Sequence, residues 1–280
     1  MRCLVTIFLL SCCAQLKAQA QAVVPARDSG FYNSFDHTKI YYEIRGEGQA
    51  VLLVHGFISN SNSWKRSPLL NDLVSNGFKV VTVDLRGNGR SGKSFEENAY
   101  ANDAEAKDLV GLMHHLKLLS YDAIGYSRGS IIIARLLVID KNVRRAVLGG
   151  MGDGFTDPEW PRRKMFYQAL SSGGIKELQP MVNYVKQQGL DTTILSWFQK
   201  YQPSVEPKVL GKIQQPVLII SGDRDTVDNG SPRALAAAIP HAKLVLVPGD
   251  HNSTSGTAAF SEAVINFLNS VATRSKKKIR

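Results

Sequence analysis

Ile124-Gly125-Tyr126-Ser127-Arg128-Gly129 is the stretch that decides the fold: an apolar run, Tyr121 to Tyr126, stops at G-x-S-x-G, and an amphipathic run, Ser130 to Ile139, begins at once. The pattern reads as strand, sharp turn, helix. A residue at the apex of such a turn is forced into strained backbone geometry, which only small neighbours tolerate, and Gly125 and Gly129 let strand and helix close around it. Ser127 Oγ is thereby lifted clear of the sheet. The start of the following helix points unpaired backbone N–H groups and a positive dipole end at whatever the serine attacks, so one segment would supply a nucleophile and half of an oxyanion hole. Five-residue patterns recur by chance, and the flanks give this one its weight. Ile131, Ile132, Ala134, Leu136, Val138 and Ile139 have the spacing of a helix largely buried against a sheet.

Working outward, Ala50 to Val54 is continuously apolar, as a strand buried on both faces of a parallel sheet would be, and it ends in His55-Gly56-Phe57. Lys79 to Asp84 is the next buried strand. It leads into Asp84-Leu85-Arg86-Gly87-Asn88-Gly89-Arg90-Ser91, a D-x-R-G-x-G-x-S loop in which Asp84 and Arg86 read as structural, fixing the loop by ionic hydrogen bonds. Further upstream, alternation in Phe31, Asn33, Phe35 and in Ile40 to Ile44 suggests two antiparallel strands. Downstream, Ala146 to Leu148, Pro216 to Ser221 and Lys243 to Val247 are strands, and a closing helix runs from about Ala258 to Val271. Seven or eight strands alternating with helices imply a mostly parallel sheet covered on both sides. Between Gly149 and about Lys212 that rhythm lapses into Gly-rich turns, Trp160, Pro161-Arg162-Arg163 and helical pieces at Ile175 to Gln187 and Thr193 to Tyr201.

His-Gly-Phe, D-x-R-G-x-G-x-S and G-x-S-x-G, followed by an acid and then His251 just past strand ends, resemble the α/β-hydrolase family from about residue 50 to 251. The resemblance implies an α/β-hydrolase fold, with a mostly parallel eight-stranded sheet, helices on both faces and a small helical lid inserted at about 152–212 of a domain spanning 21–280. It implies a Ser-His-Asp triad. The acid would stand at the fourth position of Gly222-Asp223-Arg224-Asp225, which nominates Asp225 over Asp223 and Asp228. Backbone N–H groups of Phe57 and Arg128 would form the oxyanion hole, while His55 braces its loop. Trp160, Phe166 and Trp197 would line a substrate pocket or seat the lid on the core. Arg128 stands where relatives often carry a smaller residue, and its side chain could bind an acidic group, clamp the lid or pair with a core acid.

The chemistry so implied is covalent acyl transfer: hydrolysis of a carboxylic ester, thioester or similar small acyl compound through an acyl-enzyme, with no cofactor and no metal. A serine argues against haloalkane dehalogenases and epoxide hydrolases, which use an aspartate at the Ser127 position. It leaves open a carbon–carbon bond hydrolase, a cofactor-free haloperoxidase-like perhydrolase, and a non-enzymatic small-molecule sensor on the same fold.

The chain has 280 residues, 44% hydrophobic and 21% charged, which excludes disorder for its bulk. Met1-Arg2, the apolar stretch Cys3 to Cys13 and the small-x-small sites at Ala18 to Ala22 read as a signal peptide over residues 1–20, giving a secreted or periplasmic protein. Leu9-Leu10-Ser11-Cys12 is a rival lipoprotein signal, the one route to membrane attachment. All three cysteines lie in this segment, so the mature chain has no disulfide framework. The net charge of +10 is concentrated partly in the tail Arg274 to Arg280, read as a solvated, frayed C-terminus rather than a nucleic-acid arm. Gly87 to Ser94 also satisfies G-x-x-x-x-G-K-S, but no helix is expected at Lys93-Ser94, and a phosphate-cradling loop needs one. Oligomeric state is not readable from the sequence.

Overall fold

A computed structural model describes residues 23–277, and only the backbone of 271–277. The signal peptide at 1–20 and the lipidation site at Cys12 lie outside the described residues. Eight strands are present: β1 (Asp28–Asn33), β2 (Lys39–Arg45), β3 (Gln49–Val54), β4 (Phe78–Val83), β5 (Tyr121–Tyr126), β6 (Val143–Gly149), β7 (Val217–Gly222) and β8 (Ala242–Val247). The helices are α1 (Asn62–Lys65), α2 (Pro68–Ser75), α3 (Ala104–His115), α4 (Arg128–Ile139), α5 (Pro161–Ser171), α6 (Gln179–Gln187), α7 (Thr192–Lys200), α8 (Pro207–Leu210), α9 (Pro232–Ala238) and α10 (Ala258–Lys277).

The strands form one sheet in the order β1-β2-β4-β3-β5-β6-β7-β8. β2 is antiparallel to both β1 and β4, and all other pairs are parallel. Parallel pairing needs crossovers and covered faces, which is why β3, β5 and β7 are apolar nearly throughout and almost wholly buried. Leu109 of α3, Ile132 and Leu136 of α4 and Leu235 of α9 pack into the core on one face. Leu69 and Leu73 of α2 with Phe260 and Val264 of α10 fill the other. Register then decides where chemistry can gather. Val54 lies opposite both Val83 and Gly125, so β3, β4 and β5 end level and release His55, Asp84 and Ser127 at the same edge.

Between β6 and β7 the chain makes a helical cap from α5 to α8, with its own apolar cluster of Val185, Ile194, Leu195 and Phe198 closed against Tyr100. Two elements differ from the sequence reading. α5 begins at the first turn's Pro161 and covers a stretch expected to be irregular, because proline's fixed φ suits a helix's opening turn. The closing helix runs past Val271 to Lys277, where a frayed tail was expected, and basic residues in a last turn complement the helix dipole. The Gly87 to Ser94 loop folds on itself: Gly87 N–H donates to Gly92 O at 2.8 Å and Gly92 N–H to Lys39 O at 2.7 Å, so these donors do not converge on a ligand.

Candidate active site

Ser127 sits at φ +54° and ψ −125°, in the sparsely populated conformation that the strand-to-helix turn imposes. What holds it there is backbone. Ser127 N–H donates to Gly149 O at 2.7 Å, and Ser130 Oγ donates to Gly125 O and Gly149 O at 3.0 and 2.8 Å. A Cβ on Gly125 would lie 2.4 Å from Gly129 C and O, and one on Gly129 would lie 2.4 Å from Val54 O. Only glycines let β3, β5 and α4 approach this closely.

The loops after β7 and β8 bring two more groups to the serine. His251 Nε2 stands 2.9 Å from Ser127 Oγ, and His251 Nδ1 stands 2.9 Å from Asp225 Oδ2. Asp225, 6% exposed at its side chain, also accepts Val227 N–H through Oδ1 at 3.0 Å. Asp223 accepts Gly249 N–H, Asp250 accepts from Asn252, Ser253 N–H and Ser253 Oγ, and Asp228 is exposed, so none of these competes for the imidazole. One contact the sequence did not announce steadies His251: Tyr126 Oη donates to its carbonyl oxygen at 2.7 Å. Burial pushes the Tyr126 phenol above its ordinary pKa, keeping that donor protonated. Tyr126 stands at a free position of G-x-S-x-G, where the pattern assigns no role to the side chain.

His55 is 1% exposed and belongs to the scaffold. Its Nε2 accepts Leu85 N–H at 3.1 Å, leaving Nδ1–H for Gly56 O at 2.8 Å, and burial lowers its pKa so that the ring stays neutral. Asp84 and Arg86 both brace this edge, through separate partners rather than through each other. Asp84 accepts Ser61 and Arg90 N–H groups at 2.7 and 2.8 Å, while Arg86 binds Asp108 through two nitrogens and reaches Asp36.

Cavities flank Ser127 on two sides. A cleft of ≈ 320 Å³ is lined by Ser127, His251, Tyr126 and a set of hydroxyls including Ser63, Ser67 and Ser255. A smaller cavity of ≈ 60 Å³ under the cap is lined by Ser127, Phe57, Arg128, Trp160, Phe166 and Arg162, among others. The two nominated oxyanion residues thus border the same space as the serine. Arg128 opens α4, where a helix's first N–H groups have no intrahelical acceptor. Trp160 and Phe166 line the smaller cavity, and the Phe166 ring meets Phe57 edge-on at 6.2 Å. Trp197 is a correction. It lines neither cavity and packs on Tyr100 with ring centroids 5.6 Å apart, because α7 turns that side toward the 3-10 helix at Glu97–Tyr100.

The Arg128 side chain resolves two of its three options at once. Nη1 and Nη2 bind the carboxylate of Glu105 on α3 at 2.8 and 2.5 Å, Nη2 reaches Phe198 O on α7 at 3.2 Å, and the guanidinium lies 4.9 Å above the Phe198 ring. It pairs with a core acid and clamps the cap.

A carbonyl compound entering beside Ser127 would therefore meet a hydroxyl in contact with an imidazole, a carboxylate behind that imidazole, and the first turn of α4. Among the described residues no group of histidine, cysteine or carboxylate side chains is arranged to hold a metal ion. The family model described as alpha/beta hydrolase fold matches residues 49–172. The chain is 27% identical over 256 residues to a non-heme haloperoxidase of Rhodococcus erythropolis, covering 78% of this chain and 91% of the relative. It is 25% identical to a bifunctional esterase/perhydrolase of Acinetobacter calcoaceticus, over 79% of this chain and 91% of that one. In structure it resembles an esterase of Exiguobacterium antarcticum, with a TM-score of 0.72, 21% identity, and 86% and 100% of the two chains covered. The fold, the elbow and these likenesses agree: the chain has the α/β-hydrolase fold and resembles enzymes built on it.

Proposed function

We propose that the protein is a serine hydrolase that cleaves esters or thioesters of short acyl groups. The observation that carries this reading is the unbroken chain Ser127 Oγ, His251 Nε2, His251 Nδ1 and Asp225 Oδ2, with two contacts of 2.9 Å, standing on a strained elbow. His251 takes the hydroxyl proton as Ser127 attacks the carbonyl carbon, and Asp225 holds the imidazole in the tautomer that can do so. The tetrahedral oxyanion is held by Phe57 and Arg128 N–H groups, each worth roughly a hundredfold or more in rate. His251 then gives its proton to the leaving group, and water attacks the acyl-enzyme by the same route in reverse.

The two cavities acquire different duties from this chemistry. The leaving group must be reached by His251, which lines the hydroxyl-rich cleft and not the cavity under the cap. The acyl group then occupies the smaller space beside Phe57 and Arg128. That ≈ 60 Å³ has room for about four to six water-sized groups at 10–15 Å³ each, so short acyl chains fit best. Deacylation by hydrogen peroxide in place of water would yield a peracid, a second reading favoured by relatives named for haloperoxidase and perhydrolase activity over most of the chain. The reading of residues 1–20 as a signal peptide makes an extracytoplasmic enzyme part of the same proposal.

Hydrolysis of p-nitrophenyl acetate, butyrate and octanoate, with fluorophosphonate labelling, tests the reading against Ser127→Ala. The native protein should label and should favour the two shorter esters, and the variant should lose labelling and at least about a thousandfold in kcat. A variant that labels or turns over like the native protein would sink it.

A further inference from the structure

We infer that the acyl side of the site is built for an acyl group that carries a carboxylate of its own, with Arg162 of α5 as its counter-charge. The inference deepens the serine-hydrolase reading and names a substrate class for it: half-esters or half-thioesters of short dicarboxylic acids.

The argument starts from where arginines stand in this protein. Those that are fully buried each have a carboxylate partner: Arg45 with Glu43, Arg86 with Asp108, Arg128 with Glu105, and Arg145 with Asp122. Arg162 is part-buried and lines the same ≈ 60 Å³ cavity as Ser127, and its side chain makes no hydrogen bond or ion pair among the described residues. Its guanidinium lies 4.4 Å from the Phe166 ring centroid, which orients it without satisfying its donors. The acids that face it are Asp228 and Asp225, neither within hydrogen-bond reach, and Asp225 is engaged by His251. Burial holds Arg162 below the usual arginine pKa, the mark of a charge that lacks a close partner.

Two further side chains point the same way. Gln199 and Gln202, each 6% exposed, line this cavity, and their amides form no side-chain hydrogen bond among the described residues. Arg163 lines the cavity too but has Gln202 O as an acceptor at 3.3 Å, so a purely alkyl acyl group would leave the Arg162 guanidinium and two amides facing hydrocarbon, which buried polar groups tolerate poorly. A carboxylate would give all three an acceptor, and the fork of an arginine matches its two oxygens. It would also be neutralised there, so that it does not oppose the oxyanion forming at Phe57 and Arg128. The size agrees: a carboxymethyl group, as in a malonyl ester, has four heavy atoms beyond the reacting carbonyl, about what the cavity takes. Hydrolysis of such a half-ester consumes one water and releases the alcohol and a dicarboxylate.

The test compares monomethyl malonate with methyl isovalerate, its neutral isostere, in the native protein, Arg162→Gln and Arg162→Lys. In the native protein kcat/KM should favour the malonate ester by roughly tenfold or more, the worth of a charge-assisted hydrogen bond. Arg162→Gln should erase that ratio, mainly through KM, and Arg162→Lys should keep part of it. A native ratio near one, or a ratio unmoved by Arg162→Gln, overturns the inference; if Arg162→Gln does not fold, the native ratio and the lysine variant decide. Calorimetric binding of monomethyl malonate against methyl isovalerate to Ser127→Ala is independent of turnover. The malonate ester should bind at least tenfold tighter, and equal binding overturns the anion site. Failure of fluorophosphonate to label Ser127 would instead overturn the serine-hydrolase reading, leaving the calorimetry to judge Arg162.

Discussion

The strand-end edge and the cap meet at Ser127 and are held together in different ways. At the edge the fixings nearest the serine end on backbone: Ser127 N–H on Gly149 O, Ser130 Oγ on two carbonyls, and glycines where an added Cβ would lie 2.4 Å from main-chain atoms. Over the cap they are side chains: Phe57 on Phe166, Tyr100 on Trp197 and Phe198, and Arg128 on Phe198. Positions that must be accurate to a fraction of an ångström are set by the main chain and tolerate no extra atom. Those that select a ligand are set by side chains, which can be exchanged while the edge stays intact.

The sharpest way to break that contrast is to add one methyl group to each region. Gly129→Ala would place a Cβ 2.4 Å from Val54 O and 2.7 Å from His55 O, with only backbone to give way. It should cost about 4 kcal/mol or more, lowering Tm by roughly 10 °C or failing to fold. In the cap, Gly174→Ala meets nothing within 4 Å and pays only for its φ of +84°, about 1–2 kcal/mol. Equal losses in thermal unfolding would dissolve the distinction.

The joint between the regions comes next. Glu105→Ala leaves the Arg128 guanidinium buried without its carboxylate, and should cost about 3–5 kcal/mol in denaturant unfolding. Removing both charges, as Glu105→Leu with Arg128→Met, should recover most of that loss, since the buried pair itself contributes little net stability. A double variant as weak as the single one would mean that the cap depends on the charge.

The smallest effect lies in His55. Its folded-state pKa is depressed by burial, so below about pH 6.5 the unfolded chain takes up a proton that the folded chain refuses. Stability should therefore fall on acidification from that value, by up to about 1.4 kcal/mol per pH unit. His55→Asn should have a shallower slope between pH 6.5 and 5, and parallel slopes would place the titrating group elsewhere.

This division also explains what was legible in the sequence. The order Ser127, Asp225, His251, the strands that carry them and the two antiparallel strands before β3 were readable because glycine spacing and apolar runs are local consequences of backbone demands. The cap was not. α5 buries only Ala169 and Leu170, and with Arg162 and Phe166 lining a cavity its sequence shows no broad apolar stripe to betray a helix. Trp197 looked like a pocket residue because an aromatic's type does not reveal its direction, which Tyr100, far off in sequence, decides. The partner of Arg128 was one of several acids until the fold set α3 beside α4.

Arg128 carries two obligations on separate parts of one residue. Its N–H opens α4 beside the serine, and every amino acid but proline offers that group; its guanidinium fastens Glu105 and Phe198. A substitution here can thus retune how firmly the roof closes while leaving the main-chain donor beside Ser127 in place. Such a position is a dial on the cap set into the backbone of the elbow.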